Sequence, residues 1–271
     1  MSSEDIDATQ APLVEHLIEL RQRLIRSVIG FVVFFVVGFY FADQIFDFLL
    51  LPYEWAVENS GIGDKAELKL IFTAPQEFFF TQLKIGMFVG LFLAFPLIAT
   101  QIYKFVAPGL YKNEKEAFRP YLMATPILFA AGGCLVFFLI LPIAMQFFIS
   151  FGWQGDGDHR AVIELLPKVS EYLSLVMTLI LAFGVCFQLP VILTLLGRIG
   201  VVSSEQLSKG RKYAVVGVVA IAAVFTPPDP FSQLGLAIPM CLLYEAAIFA
   251  VRAVEKRRDA AEAAREAELD S

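Results

Sequence analysis

The stretch from Tyr121 to Phe151, YLMATPILFAAGGCLVFFLILPIAMQFFISF, contains no charged side chain. A helix needs roughly 20 predominantly apolar residues to cross about 30 Å of hydrocarbon, and this stretch exceeds that length without interruption. It reads as a membrane span. Five further apolar runs read the same way, at about 24–41, 78–102, 172–196, 213–226 and 231–251. Composition agrees: 58% of the 271 residues are hydrophobic, 27 are Phe, and 18% are charged. Soluble domains hold about 45–50% apolar residues, so too little polar surface is present here to cover a water-soluble globule. The expectation is an all-α membrane protein with a single six-span domain over 1–251. The remaining 252–271 form a charged, Ala/Glu-rich tail that reads as a frayed helix or a disordered segment.

Orientation follows from the basic residues, because Lys and Arg concentrate on the cytoplasmic side of short loops. Arg21, Arg23, Arg26, Lys104, Lys112, Lys115, Arg119, Arg198, Lys209, Arg211, Lys212, Arg252, Lys256, Arg257, Arg258 and Arg265 all fall at one set of alternate loops and ends. Lys65, Lys69, Lys84, Arg160 and Lys168 fall at the other. Both termini are therefore expected in the cytoplasm. The formal charge of −6 carries no such information. The acidic start, MSSEDIDATQAP, lacks the basic n-region of a signal peptide, so no cleavable targeting segment is expected. Cys134, Cys186 and Cys241 each lie in an apolar run and read as reduced packing residues.

Several local features depart from a plain bundle. The fifth run, Tyr213–Thr226, spans only about 21 Å at 1.5 Å per residue and stops at Thr226-Pro227-Pro228-Asp229-Pro230, where the prolines end a helix. Either the bilayer thins there or Asp229 sits below the membrane surface. Pro96, Pro126, Pro142, Pro190 and Pro239 lie within runs and predict kinked helices forming a curved, concave wall. Gly86/Gly90 and Gly132/Gly133 predict close helix contacts. The segment IFDFLLLPYEW carries Phe46, Phe48, Tyr53 and Trp55 and reads as an amphipathic cap outside the cytoplasm. A second such cap is expected over WQGDGDHRAVIELLPKVSE.

Enzyme signatures are missing from the sequence: there is no HExxH pair and no GxSxG elbow. Gly155-Asp156-Gly157-Asp158 matches the GxGD pattern of intramembrane proteases, but in a polar loop with no second in-span Asp. Asp156, Asp158 and His159 read as a solvated turn in preference to a metal site. No cofactor and no nucleic-acid partner are expected. A solute transporter would need polar groups at the bilayer midplane, and the spans are bare there apart from Gln188 and a few other amides.

Two segments carry the remaining chemistry. In His16-Leu17-Ile18-Glu19-Leu20-Arg21-Gln22-Arg23-Leu24, the leucines recur at helical spacing, and Glu19 and Arg23 are i,i+4 neighbours able to pair. By spacing alone, this is an amphipathic membrane-entry helix. In Phe105-Val106-Ala107-Pro108-Gly109-Leu110-Tyr111-Lys112-Asn113-Glu114, a second carboxylate falls at the same membrane level. Two carboxylates at a low-dielectric boundary suit a cationic ligand, guanidinium above all; an ordinary polar loop is the plain alternative.

HLIELRQRL, Pro52, FVAPGLYKNE, FGVCFQLP, and FTPPDPFSQ with AIPMCLLYE together resemble the TatC family, the multispanning core subunits of the twin-arginine protein translocase. The likeness runs in order from about His16 to Val251. It implies a non-enzymatic receptor that binds twin-arginine signal peptides at the cytoplasmic face and recruits TatA- and TatB-like single-span subunits to export folded proteins, with self-association in a larger complex. Glu19 and Glu114 would be the carboxylates that recognise the paired arginines, and Arg21, Arg23, Phe105, Pro108 and Tyr111 would support them. Pro52 and Asp229 would be functional positions outside the cytoplasm. Gln188 stands where many relatives carry Glu; a neutral amide there cannot titrate, and it reads as a residue that hydrogen-bonds to a neighbouring helix. Gln188, Gln233 and Glu245 are candidate contacts for a partner helix.

Overall fold

In hydrocarbon the backbone N–H and C=O groups have only each other as partners, which leaves helices as the solution for long apolar runs. The computed structural model describes residues 3–60, 70–106, 119–152, 166–226 and 229–269. Its helices are α1 (Ser3–Tyr40), α2 (Ala42–Asn59), α3 (Glu77–Val106), α4 (Arg119–Leu135), α5 (Leu141–Ile149), α6 (Val169–Cys186), α7 (Leu189–Arg198), α8 (Ser204–Phe225) and α9 (Pro230–Leu269), with a π-helical turn, Val136–Ile140, joining α4 to α5. No strand occurs among the described residues. The extended pairing found there is one bridge between Ile71 and Lys168. The tail beyond residue 251 is helical as far as Leu269.

Five stretches are long and apolar enough to cross a membrane: His16–Tyr40, Glu77–Phe105, Tyr121–Ile149, Val169–Arg198 and Pro230–Ala260. The sixth expected crossing falls on α8, which does not meet that measure among the described residues. Its helix is nevertheless longer than the apolar run, because Ser203 and Gln206 close a reciprocal capping box ahead of the first polar turns.

Two compact units partition the chain. In the first, residues 1–45 and 82–126, α1 and α3 meet through glycines. A Cβ on Gly90 would lie 3.0 Å from the backbone of Phe35, and one on Gly86 would lie 3.2 Å from that of Phe39. Gly30 faces Leu97. Positions rise along α1 as they fall along α3, so the two helices run antiparallel. The expected Gly86/Gly90 contact is thus present, and α1 supplies small residues of its own to it. The opposite side of α1 is open, with Ile29, Val33 and Val36 exposed.

The second unit, residues 46–81 and 127–271, holds most of the buried core. Phe183, Leu173, Leu179, Leu141, Leu236 and Ile248 are fully enclosed within it. The α9 helix runs antiparallel to both the π turn–α5 segment and α8. Gly235 faces Ile140 and Phe231 meets Phe147, while Glu255, Glu245 and Tyr244 meet Ser204, Arg211 and Leu207. The prolines act in two ways. Pro142 lacks an N–H, and the helix ahead of it adopts the wider π register. Pro190 coincides with a complete break between α6 and α7, where Gln188 N–H turns back to the Val185 carbonyl at 3.0 Å. Pro96, Pro126 and Pro239 are instead carried inside unbroken helices.

The α2 segment caps this second unit. Phe48 stacks on Phe137 at 4.5 Å and 6°, Trp55 packs on Phe137 and Phe138, and Tyr53 lies 5.7 Å from Tyr172. Tyr172 Oη donates to the Leu49 carbonyl at 2.9 Å. Pro52 is buried in the middle of α2. Tyr53, read from the sequence as interfacial, is instead a core residue at 4% exposure.

Glycine substitutions test the packing with one controlled comparison. In Gly132→Ala the new Cβ would lie 2.7 Å from the Phe183 carbonyl oxygen, whereas at Gly217 nothing lies within 4 Å. Gly132→Ala is expected to destabilise by about 1–3 kcal/mol through overpacking, and Gly217→Ala to stabilise by about 0.4–1 kcal/mol through helix propensity. Thermal unfolding in one detergent should move the two midpoints in opposite directions.

Candidate functional site

The entry segment of α1 and the end of α3 lie together in the first unit. His16 stacks on Phe105 with ring centroids 4.3 Å apart and planes 20° apart. This contact joins the first residue of one motif that the sequence marked out to the first residue of the other. His16, Glu19 and Arg23 share one face of α1, being three and four residues apart. The pairing expected of Glu19 and Arg23 is made: Arg23 Nε donates to Glu19 Oε1 at 3.1 Å, and Arg23 Nη2 donates to the same oxygen. The Arg23 side chain is 17% exposed and that of Glu19 35%. Arg23 is also tied back through its carbonyl, which accepts Ser27 Oγ at 3.0 Å. Arg21 projects from an exposed position. Phe105 is half-buried under His16. Pro108, Tyr111 and Glu114 lie outside the described residues, as do Gly155–Asp158 and His159.

Asp229 is 3% exposed. Its Oδ1 accepts the Ser232 N–H at 2.7 Å, and its carbonyl accepts the Gln233 N–H at 3.2 Å. With Pro230 as the first helical residue, this is the N-cap of α9. The preceding turn is closed by Thr226, whose Oγ1 donates to the Ala222 carbonyl at 2.8 Å. Asp229 is therefore built into the fold as the group that starts a 40-residue helix.

The partner-contact candidates have different settings. Gln188 is 4% exposed inside the second unit, and its side chain donates at 3.5 Å to the Gly184 carbonyl one turn earlier, where a bond to a neighbouring helix was expected. Glu245 accepts Arg211 Nη2 at 2.8 Å between α9 and α8. Gln233 is half-buried near the start of α9. All three described cysteines are free. No cluster of metal-ligating side chains occurs among the described residues.

One polar junction was not anticipated. Glu77, at the start of α3, accepts Ser170 Oγ at 2.5 Å, the Thr73 N–H at 2.9 Å and the Ser170 N–H at 3.4 Å. Beside it, Ile71 N–H donates to the Pro167 carbonyl at 3.2 Å and Val169 N–H to the Ile71 carbonyl at 3.0 Å. The segments preceding α3 and α6 are thereby laced together. An acidic residue in a first helical turn signals a cap, but nothing in the sequence names a partner 93 positions away.

These features define a class: a polytopic α-helical integral membrane protein. The family model described as "Sec-independent protein translocase protein (TatC)" matches residues 15–239, and the chain belongs to that family. The chain is 47% identical to the Sec-independent protein translocase protein TatC of Magnetococcus marinus, over 97% of this chain and 93% of the relative. It is 38% identical to that of Desulforapulum autotrophicum, over 93% and 88% respectively. A crystal structure of the twin-arginine translocase receptor TatC superposes with a TM-score of 0.73 at 37% identity, covering 89% of this chain and 99% of that one. The family is one of protein translocation, not catalysis, and the solute-transporter alternative is set aside on that ground.

The cap on α9 can be probed locally. Asp229→Ala removes the acceptor for the Ser232 N–H, a change that costs about 1 kcal/mol at helix N-caps. Amide hydrogen exchange at Ser232 should accelerate by roughly fivefold, whereas Asp229→Ser, which retains a capping oxygen, should leave it near the wild-type rate.

Proposed function

We propose that this chain is the receptor and assembly core of a twin-arginine translocase in a bacterial inner membrane, binding twin-arginine signal peptides at its cytoplasmic face through Glu19 and Glu114. The stacked His16–Phe105 pair carries this reading, because it holds the first residues of the two motifs together at one end of the first unit. A guanidinium is the ligand that such carboxylates favour: it is planar, always charged, and more weakly hydrated than an ammonium. At a membrane boundary the effective dielectric falls, and the attraction strengthens accordingly.

Six crossings with both ends in the cytoplasm fit this role, since they put the α1 entry and the loop after α3 on the side where an unexported protein arrives. The Lys/Arg bias supports that orientation, and the antiparallel run of α1 and α3 agrees with successive crossings. The short α8 counts as the fifth crossing over its apolar part, with all six in one transmembrane domain over 1–251. Pro52 and Asp229 then serve the extracytoplasmic side by fixing α2 and the start of α9. TatA- and TatB-like single-span subunits dock by hydrogen bonds to half-buried amides, of which Gln233 is the best placed, and copies of the chain associate in a larger complex in the lipid.

Direct binding tests the reading. A signal peptide with two arginines should bind the detergent-solubilised full chain, and a peptide with two lysines should bind at least tenfold more weakly, given about 1.5–3 kcal/mol for hydrogen bonds to charged groups. Glu19→Gln should remove most of the difference. Equal affinity for both peptides in the wild-type chain would overturn the assignment.

A further inference from the structure

The pair formed by Glu19 and Arg23 is lopsided. Two guanidinium donors, Nε and Nη2, converge on the single oxygen Oε1. Oε2 accepts no hydrogen bond from the described residues. A carboxylate has about four lone-pair sites and can serve two guanidinium groups at once. Arg23 is also the more enclosed partner, at 17% side-chain exposure against 35% for Glu19. Drawing Glu19 away would leave a largely enclosed guanidinium without its counter-charge, which costs far more than an exposed i,i+4 pair contributes. An arriving cation therefore adds at Oε2 and does not displace Arg23.

The held oxygen has a consequence for selectivity. The terminal torsion of a free Glu is broad, so an untethered carboxylate samples many planes. With Oε1 fixed by two donors, the plane is set, and Oε2 presents its lone pairs in one direction. A planar guanidinium depends on that alignment, whereas an ammonium, as a compact point charge, is nearly indifferent to it. His16, one turn earlier on the same face, is held against Phe105 and helps fix the helix that carries the pair. We propose that Arg23 is a positioning residue that sets the arginine-over-lysine specificity of the site by orienting the Glu19 carboxylate. This rests on the signal-peptide reading above.

The experiment uses the full chain in detergent and two labelled peptides, one with paired arginines and one with paired lysines. Arg23→Gln should weaken the arginine peptide about tenfold while leaving the lysine peptide within about twofold, so that discrimination collapses. Arg23→Lys keeps the charge but lacks the fork, and should also lose most of the discrimination. Arg26→Gln removes a neighbouring charge and should shift both peptides by the same factor. Discrimination that survives Arg23→Gln or Arg23→Lys, equal losses for both peptides, or tighter binding of the arginine peptide would each overturn the inference while leaving the signal-peptide reading intact. A wild-type chain that binds both peptides equally would overturn that reading, and the inference with it.

Discussion

Hydrocarbon offers no hydrogen-bond partners, so each backbone amide within a span must be satisfied by the chain itself. That constraint explains the long helices, and it also explains how the exceptions are handled. At Pro142 the lost donor is absorbed by a π turn, in which Leu141 N–H reaches the Val136 carbonyl. At Pro190 the helix stops and restarts, and Gln188 bridges the gap through its own backbone and side chain. At the start of α9, Pro230 removes one orphan donor and the Asp229 carboxylate satisfies another. The buried polar residues of the second unit are found chiefly where a helix is interrupted.

Once the backbone is satisfied, apolar side chains cannot drive helix association by leaving water, because lipid is as apolar as they are. Close packing takes over. Gly86 and Gly90 let α3 approach the Phe35 and Phe39 backbone of α1, and Gly132 lets α4 approach the Phe183 carbonyl of α6. Aromatic stacking does comparable work at the end capped by α2, where Phe48 lies flat on Phe137. The charged residues divide by depth. Pairs such as Arg211–Glu245, between α8 and α9, are partly exposed and contribute little each. The Glu19–Arg23 pair is more enclosed, which gives its geometry more weight.

Much of this was legible in the chain of residues. Charge-free runs marked the spans, the Lys/Arg distribution suggested their direction, and paired glycines marked close contacts. The extents of the helices were less legible, for a physical reason. Hydropathy records where lipid begins, and a helix does not end there: α1 is already helical at Ser3, well before Leu24, and α8 starts at Ser204, ahead of Tyr213. The prolines were readable as disturbances, but not in kind. Whether one is tolerated, as at Pro96, widens a turn, as at Pro142, or breaks a helix, as at Pro190, appears only in the folded chain.

The site shows the same division. The sequence by itself determined that Glu19 and Arg23 share a helix face, that Asp229 stands among prolines that end a helix, and that Gln188 carries no charge, because each follows from spacing or side-chain identity. Only the tertiary structure decided that His16 stacks on Phe105, that Glu77 joins Ser170, and that both donors of Arg23 fall on one oxygen of Glu19. Spacing along a helix is fixed by 3.6 residues per turn. Contacts between distant segments, and the rotamers that make them, are fixed by how closely whole helices can approach.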